Sequence, residues 1–282
     1  MNKFRNFFPR TSDNLEKSHV CLAAFNPSHL PFRCSLSANI AVAVSTPDIR
    51  EVRDLFAGPT SARVRYLRMK RLIDIVASSI LLIIASPVIA LSAILIKLGS
   101  EGPAIYTQQR VGGKWRLDSS GIVWELCFFS CYKLRTMRRE ADPKIHKEYL
   151  RKFRNGETRC GPKHAPFKLS RDTRVTLVGR WLRKSSLDEL PQLFNVIRGE
   201  MSLVGPRPVP AYEVELYDQP HYDRLAAKPG ITGVWQVYGR GRVTFEQMVA
   251  MDVEYVRQSS LMFDLKLLVM TIASVISFKG AA

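Results

Sequence analysis

Cysteine is scarce in this 282-residue chain: five residues, odd in number and irregular in spacing, exclude a secreted disulfide scaffold. Cys127 and Cys131 lie four apart, but no second Cys or His pair has zinc spacing, so both read as packing residues. His19, His29, His146, His164 and His221 are scattered and form no metal motif. The glycines at 230, 233, 239 and 241 lack a Gly-Lys-Ser/Thr ending, which excludes a P-loop. No internal repeat or low-complexity tract is present, and MNKFRNFF has no apolar h-region behind it to make a secretory signal. A mean hydropathy of −0.06 excludes a polytopic membrane protein, and 46% hydrophobic residues exclude disorder throughout.

Acidic residues are the minority charge, 25 against 42 basic, leaving a net +17 that favours phosphates, nucleic acid or a membrane surface as partners. The excess is local. Residues 133–184 carry net +12, whereas 185–282 carry net −2. Residues 1–60 are interrupted by five prolines and read as a variable, poorly ordered arm with one strand-like stretch, Ala38–Val44.

One long uncharged run is present, Ile75–Ile96, which as a straight helix would cover about 33 Å, enough for one bilayer crossing. Ser86-Pro87 falls inside it, and proline removes a backbone donor and crowds the preceding turn. Cationic residues flank the run on both sides, so the positive-inside rule gives a single crossing no direction. A helix–break–helix that dips into the bilayer and returns satisfies both flanks; a kinked single span and a buried helix pair are the alternatives. Farther on, the spacing predicts strands at 104–109 and 121–133, an exposed basic helix over 138–154 and a helix from Leu190 to Gly199. It also predicts a helix over Val209–Leu225 and a last helical region from Thr244 towards Phe278, whose apolar end is too short to cross and suits the membrane interface.

The sharpest local feature is Ser185-Ser186-Leu187-Asp188-Glu189-Leu190-Pro191. Ser186-x-x-Glu189 fits a capping box, and Asp188 would serve equally as N-cap with Pro191 in the first turn. The same carboxylates suit chemistry: an ionised Asp can attack phosphorus, and a neighbouring carboxylate can share Mg²⁺ with substrate phosphates. Arg171, Arg174, Arg180, Arg183 and Lys184 run into the pair, and Arg207 sits between two prolines as a pre-oriented fork for phosphate. Arg240 and Arg242 punctuate a glycine loop that reads as surface or as a further phosphate contact.

KRLIDIVASSILLIIASPVIALSA, CYKLRTM, RKSSLDELPQL, RGEMSLVGPRP and KPGITGVWQVYGR together resemble the bacterial sugar transferases, the monotopic phosphoglycosyl transferases, over about Lys70 to Ser277. The resemblance implies an α+β, mostly helical monotopic membrane protein: an arm over 1–60, a basic flank and re-entrant helix over 61–97, and a catalytic domain over 98–282. It implies transfer of a sugar 1-phosphate from a UDP-sugar to undecaprenyl phosphate with release of UMP, on the cytoplasmic face of the bacterial inner membrane. Asp188 is then the nucleophile that forms a covalent phospho-sugar, and Glu189 helps Asp188 hold Mg²⁺. Ser86 and Pro87 match the helix-breaking pair. Lys133, Arg135, Arg183, Arg207 and Arg240 fall on the family's phosphate-binding positions, and Asp252 on an acidic position at the site's periphery. Anionic membrane lipids are further expected partners, nucleic acid is not, and homo-oligomer formation is compatible with the pattern. Two departures stand out: the segment 113–132 is longer than the short hairpin expected, and residues 1–60 lack the membrane bundle of larger members. A non-catalytic basic protein binding anionic lipid or nucleic acid is the rival reading, and it leaves the Asp188-Glu189 pair unexplained.

Overall fold

The computed structural model describes residues 51–56, 58–138, 144–155, 174–239 and 243–276; the strand expected at 38–44 lies outside them, as do Arg171, Arg240 and Arg242. The described chain is α+β, as expected. Its first large element is helix α1, Thr60–Gly99, 40 residues and so about 60 Å of helix. The run contains no glycine before its last residue, and it stops where Ser100 turns extended, its N–H still donating to Ile96 O. Asp74, Ser78, Leu82, Ala85, Ile89, Ser92 and Ile96 recur every three or four residues on the less exposed side. Ile83 and Ile84 face out at 74% and 67% exposure.

Ser86-Pro87, where a break between two helices is expected, lies inside one continuous helix. Proline there deprives the Ile83 carbonyl of its ordinary donor, and the Ser86 hydroxyl supplies a replacement at 2.8 Å. Both ends of α1 dock on the same folded unit. Near the start, Arg63 pairs with Asp54 at 3.0 Å, Lys70 pairs with Asp264 at 2.7 Å, and Asp74 Oδ1 accepts from Leu203 N–H at 3.0 Å. Near the end, Ile96 is buried with Ala104, Leu134 and Leu182, flanked by Ile89 and Ala93.

Strand β1 (Glu51–Arg53), hairpin strands β2 (Ile105–Asp118) and β3 (Gly121–Leu134), and β5 (Val209–Pro210) form one sheet in the order β1-β3-β2-β5. The long segment 113–132 is the outer part of this hairpin, in register from Ile105↔Leu134 to Asp118↔Gly121. Its turn is closed by Asp118 Oδ1, which accepts from Ser120, and by Gly121 at φ 123°. Of the arm expected over 1–60, residues 51–53 belong to the fold: Val52 is buried opposite Trp124, and Arg116 bridges Glu51 and Glu125.

Helices α2 (Lys144–Arg154), α3 (Leu177–Ser185) and α4 (Gln192–Arg198) follow, α4 ending at Gly199 with φ 82°. Strand β4 (Ser202–Val204) lies parallel to β6 (Gly230–Thr232). The single helix expected over Val209–Leu225 is divided into β5, a short helix α5 (Ala211–Val214) and a 3-10 segment, Gln219–Leu225. Pro220 has no N–H to continue a helix, and Asp218 and His221 form a capping box that starts the new segment. Helix α6 (Val234–Tyr238) leads to α7 (Phe245–Gln258) and α8 (Leu261–Ile276), two helices where one region was expected. Met262, Leu265, Val269 and Ile272 make an exposed apolar stripe along α8, while Leu267 is fully buried.

Candidate active site

The site is built at a helix-to-helix turn. Thr176 caps α3 by accepting from Gly179 N–H at 3.0 Å. Gly179 lies so close to strand-end residue Thr136 that a Cβ would stand 2.0 Å from its carbonyl oxygen. The helix then stops at Ser186, φ 59° and ψ 16°, the one non-glycine with positive φ among the described residues. A serine held there costs about 1 kcal/mol, and strain of this kind concentrates at functional turns. Leu187–Glu189 form a 3-10 turn that presents Asp188 and Glu189 half-buried. The capping expectations are corrected: Ser186 makes no side-chain cap, and the residue preceding α4 is Pro191, which makes none either. The left-handed Ser186 interposes a separate turn between the two helices, so the Ser-x-x-Glu spacing is not used as a capping box.

Cations converge on this turn from distant parts of the chain. Lys133, near the end of β3, donates to Glu189 Oε1 at 2.9 Å, and Arg207 reaches the same oxygen at 3.4 Å. Arg207 is held by its surroundings. Gly205 N–H donates to Thr232 O, Gly230 N–H donates to Pro206 O, and a Cβ on Gly205 would lie 2.2 Å from Lys228 O. Arg183 donates to Thr136 Oγ1 at 2.8 Å, which ties α3 to the strand that carries Lys133.

Four neighbours were not singled out as site residues by the sequence. Arg110 donates to Pro208 O at 2.9 Å and to Gln108 at 2.6 Å, bracing the Arg207 turn; burial and the Arg207 charge push its pKa down. His146 Nδ1 lies 2.8 Å from the Tyr212 hydroxyl. Burial, then Arg110, Arg207, Arg174 and Arg183, lower His146 to about 4, so it is neutral at pH 7 inside a field of positive charge. Tyr212 rises for the same first reason, burial, and accepts from Gln108. Cys131, free and buried, is raised by burial and feels Lys133, Arg110, Glu189 and Arg207.

Two expected site residues sit elsewhere. Arg135 turns to the end of α1, donating to Ser100 O at 2.9 Å and to the carbonyls of Glu101 and Gly102, so it fixes the end of α1 to β3. Asp252 is buried against Arg224 at 2.5 Å, in a cluster with Glu213 and Tyr217. Arg240 lies outside the described residues. Among the described residues, no three His, Cys, Asp or Glu side chains group to hold a metal. Two adjacent half-buried carboxylates do suit a hard cation that keeps several waters and bridges to substrate phosphates, as Mg²⁺ does. The arrangement can present an ionised carboxylate to phosphorus inside a cationic cradle.

A family model described as bacterial sugar transferase matches residues 65–278. The chain is 41% identical over 212 residues to the exopolysaccharide production protein ExoY of Rhizobium meliloti, covering 75% of this chain and 87% of that protein. It is 43% identical over 216 residues to the undecaprenyl-phosphate galactose phosphotransferase of Salmonella typhimurium, covering 76% of this chain but 41% of that protein. A third relative is the UDP-glucose:undecaprenyl-phosphate glucose-1-phosphate transferase of Caulobacter vibrioides, 39% identical over 220 residues, 75% of this chain and 71% of that protein.

Proposed function

As this chain belongs to the bacterial sugar transferase family, we propose that it transfers a hexose 1-phosphate from a UDP-sugar to undecaprenyl phosphate, initiating synthesis of an exopolysaccharide or related glycoconjugate. The names of the relatives support galactose or glucose as the sugar. The observation that carries the reading is the Asp188-Glu189 turn, strained at Ser186 and faced by Lys133 and Arg207.

The reaction is read as two displacements at one phosphorus. An Asp188 carboxylate oxygen bonds to the phosphorus that bears the sugar, and the bond from that phosphorus to the bridging oxygen breaks, with UMP leaving. The lipid phosphate then attacks the same phosphorus and the aspartyl oxygen leaves, regenerating Asp188 and giving a lipid diphosphate sugar. Lys133 and Arg207 supply positive charge to the negative charge carried by the equatorial oxygens, and the backbone bonds around Gly205 hold Arg207 in place. Mg²⁺ held by Asp188 and Glu189 would neutralise diphosphate charge. His146, neutral, adds no charge to the cradle but stays hydrogen-bonded to Tyr212 beside it.

The reading is tested by incubating purified protein with undecaprenyl phosphate and a panel of UDP-sugars. Mg²⁺-dependent UMP release with UDP-galactose or UDP-glucose, stopped by EDTA, is the expected result. No UMP from any member of the panel, by protein that binds anionic vesicles, would leave the non-catalytic reading standing.

The membrane placement is part of the proposal. α1 dips into the cytoplasmic leaflet and returns by bending at Pro87 while staying one continuous helix, with α8 lying in the interface through its apolar stripe. The support is that Arg63–Asp74 at one end and Ile89–Ile96 at the other dock on one folded unit, with the most exposed isoleucines between them. In a background without the native cysteines, S61C and E101C should both resist a membrane-impermeant maleimide in intact cells and react after permeabilisation. Labelling of either from outside contradicts the re-entrant placement.

A further inference from the structure

A second cationic site lies at the base of α1. A partly open cavity of ≈ 220 Å³ is lined by the first turns of α1, the hairpin tryptophans and the Ala227-Lys228 approach to β6. It is set apart from the Asp188 turn. Arg71 on its wall donates to Val196 O and Ile197 O at the C-terminal end of α4, whereas Asp188 and Glu189 precede the N-terminal end. Seven residues of helix put about 10 Å between those ends.

Five cations line the cavity, with Asp74 the one carboxylate among the lining residues. Three of the cations are already engaged: Arg63 with Asp54, Lys70 with Asp264, and Arg71 with the α4 carbonyls. Arg68 and Lys228 make no hydrogen bond or ion pair among the described residues, and the Trp115 indole N–H has no acceptor there. Burial and the nearby Arg71 push the Lys228 ammonium below its usual range, a cost that a bound anion would offset. Trp115 and Trp124 face each other in the hairpin register, giving the site an apolar wall with a polar tip.

The position selects the ligand. Arg68 is exposed about two turns before the uncharged run begins, and Leu72 and Val76 continue its side of α1 at 56% and 52% exposure. An anion seated between Arg68 and Lys228 therefore has an apolar track leading into the bilayer. The geometry points to a binding site for the phosphodiester headgroup of an anionic glycerophospholipid, held by Arg68, Lys228 and the Trp115 indole, with its acyl chains along Leu72 and Val76. The site is independent of turnover at Asp188, and so is its test.

Full-length protein in a non-ionic detergent is titrated with dioctanoyl-phosphatidylglycerol, and retained lipid is counted by native mass spectrometry. One tightly retained molecule per chain is expected, with dioctanoyl-phosphatidylcholine at least about tenfold weaker. R68Q/K228Q should lower affinity at least about tenfold, and W115F should lower it less. A charge-matched control on α2, K147Q/K152Q, should leave it unchanged; both of those lysines are exposed. Equal losses in the two double variants would reduce the effect to general surface charge and overturn the site. Equal retention of phosphatidylglycerol by wild type and R68Q/K228Q overturns it as well. Glycerol 1-phosphate is the third arm: if it competes as strongly as the lipid, the ligand is a soluble phosphoester and the lipid assignment fails.

Discussion

Asp188→Asn is expected to lower UMP release by at least about 10³-fold, because the amide presents no charged oxygen to phosphorus. The substitution is a clean one. Asp188 is half-buried in a 3-10 turn, and the backbone there is set by the Ser186 stop and the Pro191 entry to α4. Asn keeps the shape and size of the side chain, so melting temperature and detergent behaviour should stay close to wild type. The covalent step has its own signature. Wild-type protein given UDP-sugar without lipid acceptor, then quenched in acid, should carry a phospho-sugar on the peptide that contains Asp188, and the variant should not. Wild-type rates of UMP release in Asp188→Asn would sink the nucleophile assignment even if sugar transfer persisted. Glu189→Gln provides the contrast: it keeps the nucleophile while removing the negative charge shared by Lys133 and Arg207, so it should slow transfer and change its Mg²⁺ dependence without preventing adduct formation.

Much of the site is legible in the sequence because its key pieces are contiguous. Asp188 and Glu189 are neighbours, Arg207 is fixed by the prolines on either side, and Lys133 lies in a recognisable strand. What folding adds is less local. Arg110, His146 and Tyr212 come from β2, α2 and α5, and nothing in their spacing announces that they meet around Arg207. The capping reading of Ser186-x-x-Glu189 failed for a conformational reason: a serine in the left-handed region ends one helix and cannot cap the next. Pro87 was expected to break α1, yet a neighbouring hydroxyl supplies a donor to the carbonyl that proline strands. Asp252 shows what spacing leaves out. A carboxylate expected at the site's periphery by resemblance sits fully buried and paired with Arg224.

That buried cluster carries the largest stability prediction. Arg224 donates to Asp252 at 2.5 Å and to the Tyr217 hydroxyl at 2.7 Å, with Glu213 at 3.4 Å, and all three charged groups are nearly inaccessible. The cluster links α5 to the 3-10 segment and α7, and α5 follows directly on Pro208-Val209-Pro210, so it also anchors the Arg207 turn. Arg224→Met keeps most of the volume and leaves two buried carboxylates without their cation, a loss of about 3–5 kcal/mol. For a domain of this size that corresponds to a fall in melting temperature of about 6–20 °C. Burial pushes Asp252 up to about 6, against the attraction of Arg224. The sign of the pH effect follows. Between the ordinary carboxylate range and pH 6 the folded chain holds the Asp252 proton more tightly than the unfolded chain, so this residue's contribution weakens as pH rises through that window. Without Arg224 the carboxyl titrates higher still, and the variant's deficit should be larger at pH 8 than at pH 5. Replacing Arg224 by Met and Asp252 by Leu together should recover part of the lost stability, since an apolar pair needs no desolvated charge. A melting temperature within about 2 °C of wild type for Arg224→Met at pH 8 would mean that the cluster is hydrated and the carboxylates are not stranded.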